Sequence, residues 1–291
     1  MGLLRVEGRK IILKKKTVTR IIYHIFVIAF GLAMIYPIVW MFFASFKDTK
    51  EIFSSVSNLF PKSFDPHNFI NGWKGFGKVT FTTFFANSIF VSLVSTVGAV
   101  ASSALVAYGL ARINFRGRKL WFALMLVTMM LPVQILMIPQ FIMFHSLGWV
   151  NSFLPVIVPQ FFGQPFFIFL MMQFIQGLPK ELDESAKIDG CNKYHIFFSI
   201  ILPLLVPALI TSLIFSFVWR WDDFLTALLY LGKPMLYTIP MALRMFSDSS
   251  SVSDWGGMMA MSTLSLIPDL IIFVVFQKYL VEGIATTGLK G

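Results

Sequence analysis

Several uninterrupted apolar stretches of twenty or more residues constrain this chain more than any other feature of its sequence. A helix of about 20 apolar residues is long enough to cross the hydrocarbon core of a bilayer. Of the 291 residues, 57% are hydrophobic and only 13% are charged, which leaves too little polar surface for a soluble domain. The sequence therefore predicts an all-α integral membrane protein, a helix bundle whose solvent is lipid.

Six transmembrane helices can be drawn along the chain. We predict spans at residues 21–46, 85–110, 120–144, 153–174, 200–228 and 261–280. Prolines inside or at the ends of these spans predict kinks, which a membrane helix tolerates when neighbours satisfy the freed carbonyls. These are Pro37, Pro132, Pro159, Pro207 and Pro268. The first span lacks a small-residue cleavage site and is interpreted as a retained helix rather than a signal peptide.

The span pattern predicts four parts of the chain. They are a basic cytoplasmic N-terminal tail (1–20), a first transmembrane helix with an extracytoplasmic segment (21–84), a core of five transmembrane helices (85–280) and a cytoplasmic C-terminal tail (281–291). Small residues concentrate in the second span, where they let another helix approach closely. We therefore expect the second span to lie at the centre of the bundle.

The net charge of +10 is best explained by topology. Sixteen of the 24 Lys and Arg residues lie at 1–20, 112–119, 180–193 and 278–290, which the spans place on one side of the membrane. The positive-inside rule makes that side, and both termini, cytoplasmic. No basic reader motif is present, so a nucleic-acid partner is not expected. The predicted location is the cytoplasmic (inner) membrane of a prokaryote.

A polar segment between the fourth and fifth spans, residues 179–190, has the pattern of a short independent helix. Pro179 suits a first turn, acidic residues follow it where the helix dipole favours negative charge, and Gly190 can adopt the left-handed conformation that ends a helix. Because it is too short to cross the bilayer, we expect this helix to lie along the cytoplasmic surface.

This segment and its continuation to Pro207 resemble the EAA motif of permeases of binding-protein-dependent ABC importers. Glu184, Ser185, Ala186 and Gly190 match the acid, the two small residues and the glycine of the motif. The flanking matches are Asp189, Phe197, Leu202 and Pro203. Ser185 replaces the usual Ala and Cys191 stands where Ala is common, and both substitutions stay small.

The resemblance implies the type I ABC importer permease fold, in which this segment is a coupling helix that docks into a cleft on a separate ATPase subunit. The coupling residues it implies are Glu181, Glu184, Ser185, Ala186, Asp189 and Gly190. A rigid helix with small side chains suits close docking, and an acid can pair with a basic group on the partner. A solvated amphipathic loop helix is the alternative interpretation of the charges.

Further landmarks resemble the carbohydrate-uptake branch of these permeases, which includes the smaller subunit of the maltose permease. The matching segments are 36–41, 45–47, 87–89, 107–112, 219–224 and the C-terminal residues 288–291. In segment 219–224, Asp222 replaces the usual Asn. The resemblance implies import of a saccharide, and a tail that reaches toward the ATPase or else is a frayed end.

A saccharide path needs amides and aromatic faces that bind hydroxyl-rich solutes weakly. The candidates are Gln134, Gln160, Gln164, Trp219, Trp221, Asp222 and Asp223. The glutamines have an alternative role in interhelical hydrogen bonds, and the tryptophans in an interfacial belt. Asp269, in the last span, needs a partner or water at that depth, unless it lies near an interface.

No phosphate-binding loop, catalytic triad or metal-ligand spacing is present, and Cys191 is the only cysteine. The chain is therefore predicted to be a non-catalytic subunit without a cofactor of its own, with ATP and Mg bound by a partner ATPase. The resemblance implies three kinds of partner besides membrane lipid. They are a second homologous permease in a heterodimer, two ATPase domains and an extracytoplasmic saccharide-binding protein that docks on residues 47–84 and 220–258.

Three alternatives remain at this point. A permease of the same superfamily for an amino acid or another small solute would carry the same EAA-like string. An ATP-independent secondary transporter or channel is disfavoured because no internal repeat or inverted pair of broken helices is visible. A purely structural membrane subunit would tolerate scrambling of the cytoplasmic helix.

Overall fold

A computed structural model describes residues 4–54, 58–247 and 254–288. Regular structure in these ranges is helical, with an isolated antiparallel bridge between Phe76 and Val79. The predicted all-α class is confirmed. The chain divides into two compact units, one made of residues up to Gly72 with Asp254–Leu264, the other of Trp73–Ser253 with the residues from Ser265 onward.

Fifteen α-helices follow one another along these ranges. The first eight are α1 (Leu4–Ala44), α2 (Thr49–Ser54), α3 (His67–Lys74), α4 (Phe81–Arg112), α5 (Arg118–Met130), α6 (Val133–Ser146), α7 (Leu154–Ile157) and α8 (Pro165–Gly177). The others are α9 (Glu181–Ile188), α10 (Lys193–His195), α11 (Leu202–Leu204), α12 (Val206–Trp221), α13 (Phe224–Tyr230), α14 (Ile239–Met245) and α15 (Trp255–Gly288). A 3₁₀ turn (Val158–Phe162) joins α7 to α8, and a π-helical turn (Ile196–Ile201) joins α10 to α11.

The six predicted spans correspond to four long apolar helical segments and two bent pairs. The long segments are Val18–Ala44, Phe81–Arg112, Leu154–Gly177 and Trp255–Tyr279. The third predicted span consists of α5 and α6, bent by 100°, and the fifth consists of Lys193–Leu204 and Val206–Trp221, bent by 75°. The structure therefore has four spans, or six when each bent pair is counted as one span.

Proline explains where the two bends fall. Pro132 separates α5 from α6, and the residue before it, Leu131, has an extended backbone (φ −78°, ψ 123°), as the proline ring requires. Pro207 stands in the first turn of α12, where its missing N–H leaves no bond unmade. Pro37 and Pro268, by contrast, lie inside helices α1 and α15, which continue through them. The sequence located the bends but missed that these two spans are broken.

One predicted boundary was wrong, and two predicted tails are helical. The fifth span ends at Trp221 and not at residue 228, because the Asp223 carboxylate accepts a hydrogen bond from Thr226 N (3.0 Å) and starts α13. Helix α1 begins at Leu4, so the segment predicted as a basic tail continues into the first span. Helix α15 runs from Trp255 to Gly288 and includes most of the predicted C-terminal tail, whose residues 289–291 lie outside the described ranges.

Helix α4 lies at the centre of the larger unit, packed against α8, α12 and the 3₁₀ turn. A Cβ atom on Gly98 would lie 2.5 Å from the Phe161 ring, so only glycine admits this contact without movement. Ser102 and Ser103 accept hydrogen bonds from the backbone N–H groups of Gly163 (3.0 Å) and Gln164 (2.9 Å). Thus the small side chains of the second span seat the 3₁₀ turn, and the prediction of a central span is confirmed.

The smaller unit is organised around buried Asn68. Its amide donates to the carbonyl oxygens of Ser45 and Lys47, both at 2.9 Å. The Lys47 side chain is itself buried and donates to the Asn58 carbonyl. These bonds satisfy backbone groups that the end of α1 would otherwise leave unpaired.

Candidate functional site

Helix α9 is the segment that the EAA-like string predicted. Glu181, Asp183 and Glu184 occupy its first turn, where they complement the positive end of the helix dipole. Gly190 has φ +80°, the left-handed conformation that was predicted to end the helix. Pro179 precedes the N-cap residue Lys180 and therefore lies before the first turn rather than in it.

A buried ion pair fixes α9 to the end of α4. Arg112 Nη1 lies 3.1 Å from Asp183 Oδ2, and the two side chains are only 6% and 10% exposed. The other terminal nitrogen, Nη2, donates to the carbonyl oxygens of Leu178 (2.7 Å) and Ile175 (3.0 Å). One guanidinium therefore binds both the carboxylate of α9 and the last turn of α8, which is the multidentate geometry that arginine provides.

A second contact joins α4 to the chain after α9. The Tyr108 hydroxyl donates to the Lys193 carbonyl oxygen (3.2 Å), and its ring packs against Phe197, with centroids 5.1 Å apart. Tyr108 and Arg112 are four residues apart and share one face of α4. Helix α9 and the chain on both sides of it are therefore in contact with one end of the central helix.

Helix α9 has one buried and one exposed face. Asp183 and Ala186 point into the protein, and Ala186, at 5% exposed, belongs to the hydrophobic core. At 100° per residue the opposite face carries four exposed side chains. They are Glu181, Glu184, Ser185 and Ile188. Asp189 and Gly190 are also exposed, so of the six predicted coupling residues only Ala186 is turned away from any docking surface.

A separate cavity of about 340 Å³ collects several predicted path residues between α6, the 3₁₀ turn, α12 and α13. Its lining includes Gln160, Gln164, Trp219 and Asp223. Gln164 Nε2 donates to Gln160 Oε1 (2.8 Å). Trp219 is 46% exposed, and its ring stacks on that of Phe167, with centroids 5.4 Å apart. The cavity thus combines amides and an aromatic face.

An ion pair lies at the same cavity. Arg220 Nη1 donates to Asp223 Oδ2 (2.9 Å), while Asp223 Oδ1 caps α13. Gln140, Thr226 and Tyr230 complete the polar lining. Burial raises the pKa of Tyr230, whose hydroxyl has no hydrogen-bond partner among the described residues. The cavity therefore offers charged, amide and hydroxyl groups to a polar solute.

Comparison with known proteins identifies the family. The profile of the family described as "Binding-protein-dependent transport system inner membrane component" matches residues 99–286. A probable ABC transporter permease protein of Bacillus subtilis is 35% identical over 268 residues, which cover 92% of this chain and 87% of the relative. The chain belongs to this family of ABC importer permeases.

Other relatives have similar coverage. The arabinooligosaccharides transport system permease protein of Bacillus subtilis is 34% identical over 94% of the permease and 97% of its own length. The trehalose/maltose transport system permease protein of Thermococcus litoralis is 30% identical over 96% and 100%. A chain in the crystal structure of a bacterial ABC transporter that imports alginate has a TM-score of 0.78, with 24% identity, 91% coverage of the permease and 97% of that chain. The predicted type I permease fold is confirmed, and the permease is a multi-pass protein of the inner membrane.

Three predicted path residues of the permease lie outside the cavity. Gln134 is exposed on α6. Trp221 is buried, donates from Nε1 to the Ser265 carbonyl oxygen (3.0 Å) and stacks on Phe217, so its role is in packing α12 against α15. Asp222 is exposed just beyond α12, although partial desolvation by its neighbours raises its pKa.

Asp269 lies in the last span, as predicted. Its buried Oδ1 has no hydrogen-bond partner among the described residues. That this acid needs a partner or water at depth stays a prediction.

Sequence reasoning missed four residues that matter to these two sites. They are Arg112, Ile188, Gln140 and Tyr230. Arg112 was identified as a topological charge and as the end of segment 107–112, without a partner. Ile188 carried no signal because helical spacing alone does not show which face of α9 is buried. Asp183 and Ala186 are three residues apart and therefore share one face of α9, and both are buried. Pairing Asp183 with a basic residue such as Arg112 would have identified this buried face.

Proposed function

We propose that this permease moves a saccharide, in particular an oligosaccharide, into the cytoplasm by alternating access, driven by ATP hydrolysis on partner subunits. The observation that carries the proposal is the position of α9, which exposes one face while the Arg112–Asp183 pair ties the other to α4. A force applied to the exposed face reaches the central helix without an intervening flexible loop.

The exposed face of α9 suits a protein partner. Ile188 is 86% exposed, and Glu181 and Glu184 lie beside it on the same face. An apolar residue flanked by acids matches a cleft with an apolar floor and basic rim. The partner is an ATPase domain, which binds ATP and Mg, while this chain itself is not a catalyst and binds no cofactor.

The orientation follows from charge. The loop at 112–119 and the segment 180–193 carry seven Lys and Arg residues and lie at the same end of α4 and α8, as the Arg112 contacts with Leu178 and Asp183 require. The positive-inside rule assigns this end to the cytoplasm, with both termini on the same side. The ATPase domains then meet α9 where ATP is available.

The saccharide is supported by relatives and by the cavity. Two relatives that cover nearly all of this chain carry names for arabinooligosaccharide and trehalose/maltose transport. The 340 Å³ cavity presents three side-chain amides and a partly exposed Trp219. Gln160, Gln164, Trp219 and Asp223 are the side chains proposed to contact the solute, each weakly enough to release it.

The complete transporter contains this permease, a second homologous permease, two ATPase domains and an extracytoplasmic saccharide-binding protein. The binding protein docks on segments 47–84 and 220–258. Because binding protein and ATP each favour one of two conformations, their affinities are coupled across the membrane.

The test is reconstitution. The transporter is purified from its native membrane, its subunits are identified by mass, and proteoliposomes are assayed for uptake of labelled oligosaccharides and amino acids with ATP at the ATPase side. Saccharide uptake that requires ATP supports the proposal. Uptake of amino acids alone would replace the substrate class, and uptake without an ATPase would overturn the mechanism.

Matched variants of α9 test the docking face. Ile188→Glu and Glu184→Lys should leave the permease inserted but prevent association with the ATPase and abolish uptake. Lys187→Glu changes an exposed charge beside that face and serves as the control. If Ile188→Glu and Lys187→Glu associate equally well with the ATPase, the proposed face is wrong.

A further inference from the structure

Two neighbouring cavities at the α9 end of the larger unit have no place in transport as described above. The first, of about 600 Å³, lies between the α4–α5 loop and the end of α8, and its polar lining includes Asn114, Arg118, Lys119 and Gln176. The second, of about 590 Å³, is apolar and lies between α4, α5 and α8. Both are lined by Leu110 and Phe115, so they form one groove with a basic end and an apolar end.

The charge of the basic end is not neutralised by the protein. None of the side chains that line it is acidic. Arg118 donates to the Ala111 carbonyl oxygen (3.2 Å) and to Asn114 Oδ1 (3.3 Å), which orient the guanidinium without cancelling its charge. Lys119 is exposed and has no hydrogen-bond or ion-pair partner within the described ranges. The site therefore selects an anion.

The length of the groove fits one leaflet. A stripe on α8 runs from Gln176 and Met172 in the basic cavity to Ile168 and Pro165 in the apolar cavity. Eleven residues of helix extend about 16 Å. Half of the hydrocarbon core of a bilayer is about 15 Å thick. The groove thus extends from the level of the headgroups, at the helix end, to about the middle of the membrane.

We propose that this groove binds an anionic phospholipid of the leaflet on the α9 side, with its phosphate at Arg118 and Lys119 and one acyl chain along α8. Basic pockets at the ends of membrane helices bind anionic headgroups, and the apolar continuation distinguishes a lipid from free phosphate. The bound lipid contacts α4, α5 and α8, the helices that carry motion from α9. The proposal is independent of which solute is transported.

The experiment is native mass spectrometry of the complete transporter, titrated with phosphatidylglycerol or with phosphatidylcholine of the same acyl chains. Wild type should bind phosphatidylglycerol in preference to phosphatidylcholine. Lys119→Gln should weaken phosphatidylglycerol binding about fivefold, the effect of one cation near an anionic headgroup. Arg116→Gln removes a cation from the same loop outside both cavities and should leave the affinity unchanged.

Gly109 allows a test of the apolar end. It lines the apolar cavity, and a Cβ atom there would meet no atom within 4 Å. Gly109→Leu should therefore fill the groove and abolish phosphatidylglycerol binding, whereas Gly109→Ala should retain it. If Lys119→Gln and Arg116→Gln lose equal affinity for phosphatidylglycerol, the lipid is attracted by the net charge of the loop and the proposed site is wrong. Equal binding of the two lipids, unchanged binding in Gly109→Leu, or binding by the isolated permease but not by the complete transporter, would each overturn the proposal.

Discussion

Arg112 and Asp183 form a buried ion pair, 3.1 Å between Nη1 and Oδ2, across the junction of the central helix and the predicted coupling helix. Arg112 Nη2 also donates to the Leu178 and Ile175 carbonyl oxygens, whereas Asp183 Oδ1 and Arg112 Nε have no hydrogen-bond partner among the described residues. Both charges are out of water, so each depends on the other. The pair therefore joins α9 to the end of α4.

Removing one member of the pair should uncouple the transporter. Asp183→Asn leaves the buried Arg112 charge unpaired and should cost about 3 kcal/mol or more of stability. We expect ATP hydrolysis per saccharide transported to rise in proteoliposomes, since α9 no longer moves α4. Glu184→Gln, on the exposed face of the same helix, is the control for stability, which should be unchanged. If the two variants have equal melting temperatures, the pair does not hold the helix.

The residue that ends α9 should tolerate asparagine better than alanine. Gly190 has φ +80° and open space around its Cα, so a side chain there meets strain but no clash. Alanine in this conformation costs about 1–2 kcal/mol, and asparagine adopts it more readily. The melting temperature should be highest for wild type, lower for Gly190→Asn and lowest for Gly190→Ala. An equal effect of both variants would point to a steric cause instead.

Two glycines of α4 should respond in opposite ways to alanine. Gly98→Ala places a Cβ 2.5 Å from the Phe161 ring and should destabilise the seat of the 3₁₀ turn. Gly109→Ala meets no neighbour and should be neutral or stabilising by up to about 1 kcal/mol through helix propensity. Melting temperatures of the two variants decide the matter. Adding Phe161→Leu to Gly98→Ala should restore part of the lost melting temperature. If it does not, the Phe161 contact is not the cause of the destabilisation.

The cavity residues should affect transport, and the glutamine outside the cavity should not. Gln164→Ala removes an amide from the lining and its bond to Gln160, whereas Gln134→Ala removes an exposed amide from α6. We expect the half-saturating concentration for saccharide-stimulated ATPase activity to change several-fold in Gln164→Ala, as the loss of one hydrogen bond of about 1 kcal/mol requires. Equal kinetics in the two variants would remove the cavity from the path.

Local features of this protein were predicted from the sequence more successfully than contacts between residues far apart in the chain. Apolar runs of bilayer length, the prolines at the bends, the acids of the first turn of α9 and the glycine that ends it are local signals, and each has the predicted structure. Hydropathy failed at the end of the fifth span, where a continued helix and a new helix are both compatible with an apolar sequence. Asp223 caps α13 there, so the span ends earlier than hydropathy indicated.

What the sequence determined by itself was therefore the all-α membrane class, the long apolar segments and the existence of a short polar helix at residues 181–188, because length and hydropathy act residue by residue. Tertiary structure alone decided which face of α9 is free, that Arg112 is its partner, and that Gln160, Gln164, Trp219 and Asp223 share a cavity from which Gln134, Trp221 and Asp222 are absent. These relations join residues far apart in the chain, and the packing of α4 against α8 and α12 brings them together. The periodicity of one helix shows which of its faces is apolar, but it does not show which residues of the neighbouring helices lie against that face.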